Sequence, residues 1–264
     1  MKKLAQICIV SLLTAAPVLA QPAAPRQTPS PDPGLVATQP AAEPAIPSVG
    51  SLFRDLGGDF KRLPSWETAI VLGATGAVGL AVSSDDAELS RRAVASQTMD
   101  TLFEPGEGVG NGAIQIGGAV ATYVVGRTTH NAGVARLGAD LVRAQIVNAV
   151  LTQGVKLAVG RQRPDRGRYS FPSGHTSAAF ATAAVLHRHY GWMAAAPAYA
   201  LATFVAGSRV QENRHYLSDV VFGAGVGIVS GRTVGLGHGR GRFAVAPFAA
   251  PGGGGVSFTL VGQR

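Results

Sequence analysis

Apolar residues come in blocks along this chain, separated by short polar or proline-rich stretches. The first block, Leu4 to Leu19, follows a basic start at Lys2 and Lys3 and ends in the small residues of Val18-Leu19-Ala20. That is the layout of an export signal cut after Ala20, which sets residues 1–20 apart from the fold. Left uncut, the run would be an anchor, although it is shorter than the roughly 20 apolar residues a span needs. From Gln21 to about Ser48 prolines recur every few residues among Ala, Gln, Thr and Ser, with hardly any large apolar side chain. Such a stretch cannot bury a core, so residues 21–50 read as a disordered or polyproline-like linker.

Leu, Phe and Trp return between Leu52 and Trp66, and the folded domain is expected over residues 51–235. Six Ala/Gly/Val-rich segments of helical length follow, at about 67–83, 112–126, 134–159, 175–189, 192–208 and 216–231. The fold class this predicts is all-α, a bundle of about six helices. Val and Gly in 67–83 and 112–126 also suit strands, but the lengths favour helices. In 134–159 the charged residues Arg136, Asp140, Arg143 and Lys156 interrupt the apolar ones at helical spacing, as on an amphipathic helix. Over residues 236–264, two alternating runs, Arg242 to Phe248 and Val256 to Val261, flank a glycine-rich loop. They form either a β-hairpin or a frayed tail, because a hairpin alone in water is marginal.

Hydropathy leaves membrane spans open for 108–126 and 190–208. Topology argues against six spans: a chain entering from outside would put the segment after Lys156 in the cytoplasm, away from an exported substrate. The charges along 134–159 also fit hydrocarbon poorly. The expectation is a periplasmic protein, soluble or peripheral, with an integral inner-membrane protein as the alternative.

The 264 residues carry a formal charge of +8, falling to +6 once Lys2 and Lys3 leave with the signal. A basic balance serves nucleic acid, an anionic membrane surface or phosphorylated ligands equally well. Position decides, since Lys156, Arg161, Arg163, Arg166 and Arg168 fall within one short stretch. That favours a phosphate group held locally, with a membrane surface as a further partner and no nucleic acid. Cys8, the only cysteine, lies in the signal, so a cysteine metal site and a disulfide are excluded from the mature chain.

Three short motifs carry candidate chemistry. Lys156, with Arg163-Pro164 downstream, joins a point charge to a planar fork of donors, a combination that suits phosphate. Basic residues at a helix C-terminus also simply complement its dipole. Pro172-Ser173-Gly174-His175 precedes an Ala-rich helix. It reads as an N-cap, or as an anion site with an imidazole placed to give up a proton. Ser208-Arg209 is followed by His215 and Asp219, whose i, i+4 spacing lets the carboxylate reach one ring nitrogen and leave the other free. A solvated surface pair would show the same spacing.

In order and spacing these residues resemble the three-part signature of the type 2 phosphatidic acid phosphatase superfamily, which includes vanadium-dependent haloperoxidases. The resemblance covers roughly residues 150–225. It implies His215 as the nucleophile that forms a phosphohistidine, Asp219 as its orienting carboxylate, and His175 as the acid toward the leaving oxygen. It also implies Lys156, Arg163, Ser173, Gly174 and Arg209 as phosphate-binding residues, with no metal and no cofactor. The expected activity is hydrolysis of phosphate monoesters or diphosphates, with a phosphorylated lipid favoured over small phosphate esters. A vanadate-dependent haloperoxidase, a nonspecific periplasmic acid phosphatase and a non-catalytic binding protein are the competing readings.

Overall fold

The computed structural model describes residues 45–96, 101, 103, 106–234, 242–250 and 253–261; the signal expected at 1–20 and most of the linker expected at 21–50 lie outside the described residues. Each expected helical segment is a helix, and three more elements join them. The order is α1 Val49–Arg62, α2 Trp66–Val82, α3 Asp86–Val94, α4 Gly106–Gly110, α5 Gly112–Thr128, α6 Ala132–Val159, α7 Gly174–Tyr190, α8 Trp192–Gln211 and α9 Leu217–Val234. A short 3₁₀ turn, Ser83–Asp85, joins α2 to α3.

Local chemistry sets the ends. Ser48, Ser65, Asn111 and Asn131 cap α1, α2, α5 and α6, each accepting a backbone N–H of its own first turn. Gly160, at φ 61°, closes α6 in the left-handed conformation that glycine adopts without a Cβ penalty. The order already present at Pro47, whose carbonyl accepts from the Tyr123 hydroxyl at 2.8 Å, places the start of the tethered chain slightly before residue 50.

Two strands, β1 Arg242–Ala250 and β2 Gly253–Val261, pair antiparallel from Arg242 opposite Val261 to Ala250 opposite Gly253. They make the C-terminal hairpin, a unit separate from the helical one.

The helical core is built from small residues. Along α9, Gly223, Gly227 and Gly231 recur every four residues, so they lie on one face. A Cβ on them would stand 2.8 Å from the Ser173 carbonyl, 2.3 Å from that of Ser177 and 2.5 Å from that of Ala181. These glycines let α9 lie directly on the N-terminal half of α7. Gly126 and Gly138 do the same between α5 and α6, where a Cβ would meet the facing backbone at 2.1 and 2.2 Å. Larger apolar side chains, among them Leu52, Tyr123, Leu137, Leu141 and Val147, fill the space around the first half of α6.

The polar positions of α6 depart from the amphipathic expectation. Asp140, Arg143 and Lys156 are all buried, so the charged residues read as one face of the helix point into the protein. Charge pairing makes that burial tolerable. Arg143 bridges Asp59 of α1 at 3.0 Å and Asp140 at 2.5 Å, and Asp140 also meets His189 Nε2 at 2.8 Å. Burial still pushes the Asp59 carboxyl up to about 6, against the pull of Arg143 and Arg62.

Among the described residues, two helical stretches are long and apolar enough to cross a membrane: Trp66–Val94, at mean hydropathy 1.3, and Leu217–Val234, at 1.2. They differ in cover, since α9 is largely enclosed by other helices while Trp66, Ile70, Val78 and Leu80 of α2 are exposed.

Replacing Arg143 by Met would leave two buried carboxylates without their shared cation. The expected loss is about 3–5 kcal/mol of stability by denaturant unfolding. Because protonation relieves a freed Asp59, the loss should be smaller at pH 5 than at pH 8.

Candidate active site

The loop from Gly160 to Ser173, the start of α7 and the turn between α8 and α9 meet beside the last turns of α6. The first loop is folded on itself: Arg163 N–H donates to the Gly167 carbonyl at 2.8 Å, and Ser170 N–H to the Arg161 carbonyl at 2.8 Å. It enters α7 through a cis Phe171–Pro172 bond. Ser173 caps α7, receiving the Thr176 N–H at 3.5 Å and the Thr176 hydroxyl at 3.0 Å. In the turn after α8, the Arg209 carbonyl accepts from both Arg214 and His215 N–H at 3.1 Å, which holds the chain that delivers His215.

Lys156, Arg163, Gly174, His175 and His215 line one cavity of about 490 Å³. His175 occupies the second position of α7, where the helix dipole is positive and backbone N–H groups are open. Gly110 packs close enough that a Cβ there would stand 3.1 Å from the His175 Cβ, which fixes that side of the ring. Arg163 Nε is buried with no hydrogen-bond partner among the described residues. A buried guanidinium edge of that kind favours an anion.

Lys156 is buried and donates from Nζ to the Tyr169 carbonyl at 2.6 Å. Burial and the neighbouring Arg163 bring its pKa down to about 8, although Asp219 pulls the other way. The His215 imidazole is held below its ordinary value, first by burial and then by the Lys156 and Arg163 charges, with Asp219 opposing. Near neutral pH it is therefore an uncharged base with a lone pair to offer.

Asp219 lies behind His215, fully buried and crowded with donors. Its Oδ1 accepts from Arg161 at 2.7 Å, and its Oδ2 from the Ser170 hydroxyl at 2.5 Å and the Tyr216 N–H at 2.9 Å. Burial would raise this carboxyl, but His215, Ser170, Tyr216 and Arg161 together keep it below the usual range. His215 Nδ1 stands 3.6 Å from Oδ2, just beyond hydrogen-bond distance. A shift of about 0.7 Å would bring it into hydrogen-bond range.

Ser173 and Asp219 support the cavity from behind, joined by the Ser173 N–H donating to the Asp219 backbone carbonyl at 3.1 Å. Arg209 is buried near the same place, but its guanidinium is paired with Glu212 and it is not among the cavity-lining residues. Sequence reasoning assigned no site role to Arg161, Asp86, Ser170 or Ser218. Arg161 bridges Asp219 and Asp86, the latter at 2.8 Å, and lies 4.3 Å over the Tyr216 ring. Asp86 in turn accepts the Ser218 N–H at 3.0 Å and the Ser218 hydroxyl. Arg161 was visible as one of the clustered cations, whereas nothing local marks Asp86 as its partner. Among the described residues no group of three or more His, Cys, Asp or Glu side chains is placed to hold a metal ion.

Comparison with known proteins finds partial similarity. A lipid A 1-phosphatase of Porphyromonas gingivalis is 41% identical over 100 residues, which are 36% of this chain and 22% of that protein. The match thus spans about a fifth of the relative's length. Among solved structures, the transmembrane PAP2-type phosphatidylglycerolphosphate phosphatase of Bacillus subtilis aligns with a TM-score of 0.47 at 22% identity, over 70% of this chain and 92% of that one. LpxE of Aquifex aeolicus aligns with a TM-score of 0.47 at 23% identity, over 56% of this chain and 92% of that one. The PAP2 superfamily model matches residues 165–238, a span that includes the second and third motifs and lies just beyond Arg163-Pro164 of the first. Over residues 165–238 the chain is thus similar to the PAP2 superfamily.

Proposed function

We propose that this chain is a phosphatase that hydrolyses lipid-linked phosphate through a phosphohistidine. The observation that carries the reading is that two imidazoles, His175 and His215, line one cavity with Lys156 and Arg163. The Porphyromonas gingivalis relative, a lipid A 1-phosphatase by name, supports the same class of reaction.

Asp219 lies on the Nδ1 side of His215, so Nε2 is the attacking atom. Nε2 forms the bond to phosphorus as the bond to the leaving oxygen breaks, and His175 gives that oxygen its proton. Water then attacks the phosphohistidine, His175 takes the water's proton, the P–N bond breaks and phosphate departs. Lys156, Arg163 and the amides at the start of α7 hold the phosphoryl oxygens, and their fixed charge acts where other phosphatases use a metal ion. Asp219 stabilises the His215 cation that forms during transfer, and Arg161 and Ser170 hold Asp219 in place.

The exposed apolar face of α2, from Trp66 to Leu80, supports an integral membrane protein over the soluble or peripheral one that the charges of α6 suggested. The leader over residues 1–20 supports export, which would set the site on the outer side of the inner membrane.

His215→Ala should abolish phosphate release from a lipid phosphate while wild-type turnover survives chelator. Turnover by His215→Ala would overturn the nucleophile assignment. Because Lys156 must be charged to hold phosphate and its pKa is about 8, kcat/KM of the free enzyme should fall as pH rises through that value. Lys156→Arg should move this alkaline limb to higher pH, and a limb that stays in place would remove Lys156 from phosphate binding. Carbonate washing of membranes should leave the protein bound and detergent should release it; recovery in the wash would sink the membrane-bound reading.

A further inference from the structure

The cavity continues past the phosphate end. It follows α6 away from Lys156, between α5 and α7, to Gln145, Asn148, Ile116 and Ile146. Gln145, Asn148, Thr152 and Lys156 are spaced three, four and four residues apart, so they share one stripe of the helix. At 1.5 Å of rise per residue, Asn148 and Gln145 stand about 12 and about 16 Å along the axis from Lys156.

Their amides are only partly used by the protein. Gln145 Nε2 donates to the Ala178 carbonyl at 3.0 Å and to Thr182 Oγ1 at 2.9 Å. Thr182 gives its own proton to Gln115 Oε1 at 2.6 Å, and Gln115 Nε2 donates to the Val109 carbonyl at 2.7 Å. Backbone carbonyls at both ends of this chain orient every member, so the Gln145 amide cannot turn over. Its Oε1 has no hydrogen-bond partner among the described residues.

Asn148, only 4% exposed, is approached by Thr152 Oγ1 at 3.4 Å. That contact is weak, because Ser177 donates to the Gly174 carbonyl at 3.0 Å and so leaves Thr152 to spend its single proton on Ser177 Oγ, also at 3.0 Å. Whichever way the Asn148 amide is turned, one polar end is left to the cavity. Thus a fixed acceptor and an amide, one turn apart and both neutral, face the same space beside two isoleucines. Buried polar groups are met by partners in folded proteins and complexes.

We propose that Gln145 and Asn148 form a polar subsite that takes the neutral oxygens of a sugar-like unit attached to the phosphate, an inference that rests on the phosphatase reading above. Hydroxyls both donate and accept, which matches the fixed Oε1 and either end of the Asn148 amide. The absence of charge on both residues disfavours a second phosphate there. A polyisoprenyl chain carries no oxygen beyond its phosphate and would leave both amides unmet.

The test uses the full chain in detergent with two probes, an acylated glucosamine 1-phosphate and a polyisoprenyl monophosphate. Wild type should prefer the sugar lipid. Asn148→Leu should lower the ratio of kcat/KM for the sugar lipid to that for the isoprenyl lipid about tenfold, the worth of one net hydrogen bond, chiefly through KM. Asn148→Thr, a smaller change, should lower the ratio in the same direction and carries the test if the leucine variant does not fold. A wild type that prefers the isoprenyl lipid, or variants that leave the ratio unchanged, would overturn the subsite while leaving the phosphatase standing. Release of phosphate from neither probe by wild type would overturn the phosphatase reading and the subsite with it.

Discussion

The site depends on one buried carboxylate. Asp219 has no exposure, and a charge so placed is tolerable only if donors surround it. Arg161, Ser170 and the Tyr216 N–H supply them, and these groups come from the loop after α6 and the turn before α9. Satisfying Asp219 therefore brings the first motif's loop against the third motif. The Asp219 backbone carbonyl, accepting from Ser173, adds the second. The stretch 161–173 and the stretch 215–219 are thus tied together through a single residue, and His215 stands where that residue's charge is felt.

Such convergence also needs helices that approach closely. The glycine ridge of α9 allows it, since any side chain at Gly223 or Gly227 would strike the backbone of the first turns of α7. Those turns carry His175 and the open amides, so the packing that forms the core also sets the distance between the two histidines. Arg161 extends the arrangement outward to Asp86 of α3, whose carboxylate holds the start of α9 through Ser218. Support of this kind matters because a reacting group must stay within a fraction of an ångström of its working position.

Burial also decides the charge states. Lys156 and Arg163 lie close together, and their mutual repulsion with burial lowers the lysine toward the physiological range, while the same environment keeps His215 uncharged. A cationic pocket with a neutral imidazole at its wall can attract an anion and still attack it. At the other end of α6, Asp140, Arg143 and Asp59 form a closed ion-pair cluster that leaves little charge for a ligand. One helix thus carries both a spent set of charges and an available set, separated by the neutral amides of Gln145 and Asn148.

Much of this was legible in the amino-acid order. Six helices followed from block length and apolar content, because helical periodicity is local; His175, His215, Lys156 and Arg163 were candidates there, and the structure places them around one cavity. The α1 and α3 helices were not foreseen: their sequences are short and mixed, and packing of Leu52 and pairing of Asp59 and Asp86 hold them. The charges of α6 suggested a polar outer face, yet most turned inward, since only the distant Asp59 and the local Asp140 could neutralise Arg143. Arg209 stood in the third motif, and the structure pairs its guanidinium with Glu212, one turn away. By itself the sequence determined the all-α class, the six longer helices and the candidate side chains of the site, because these rest on local periodicity and residue type. Only the tertiary structure decided which of those charges are paired, because that depends on partners brought together from distant parts of the chain, as Arg143 and Asp59 are from 84 residues apart.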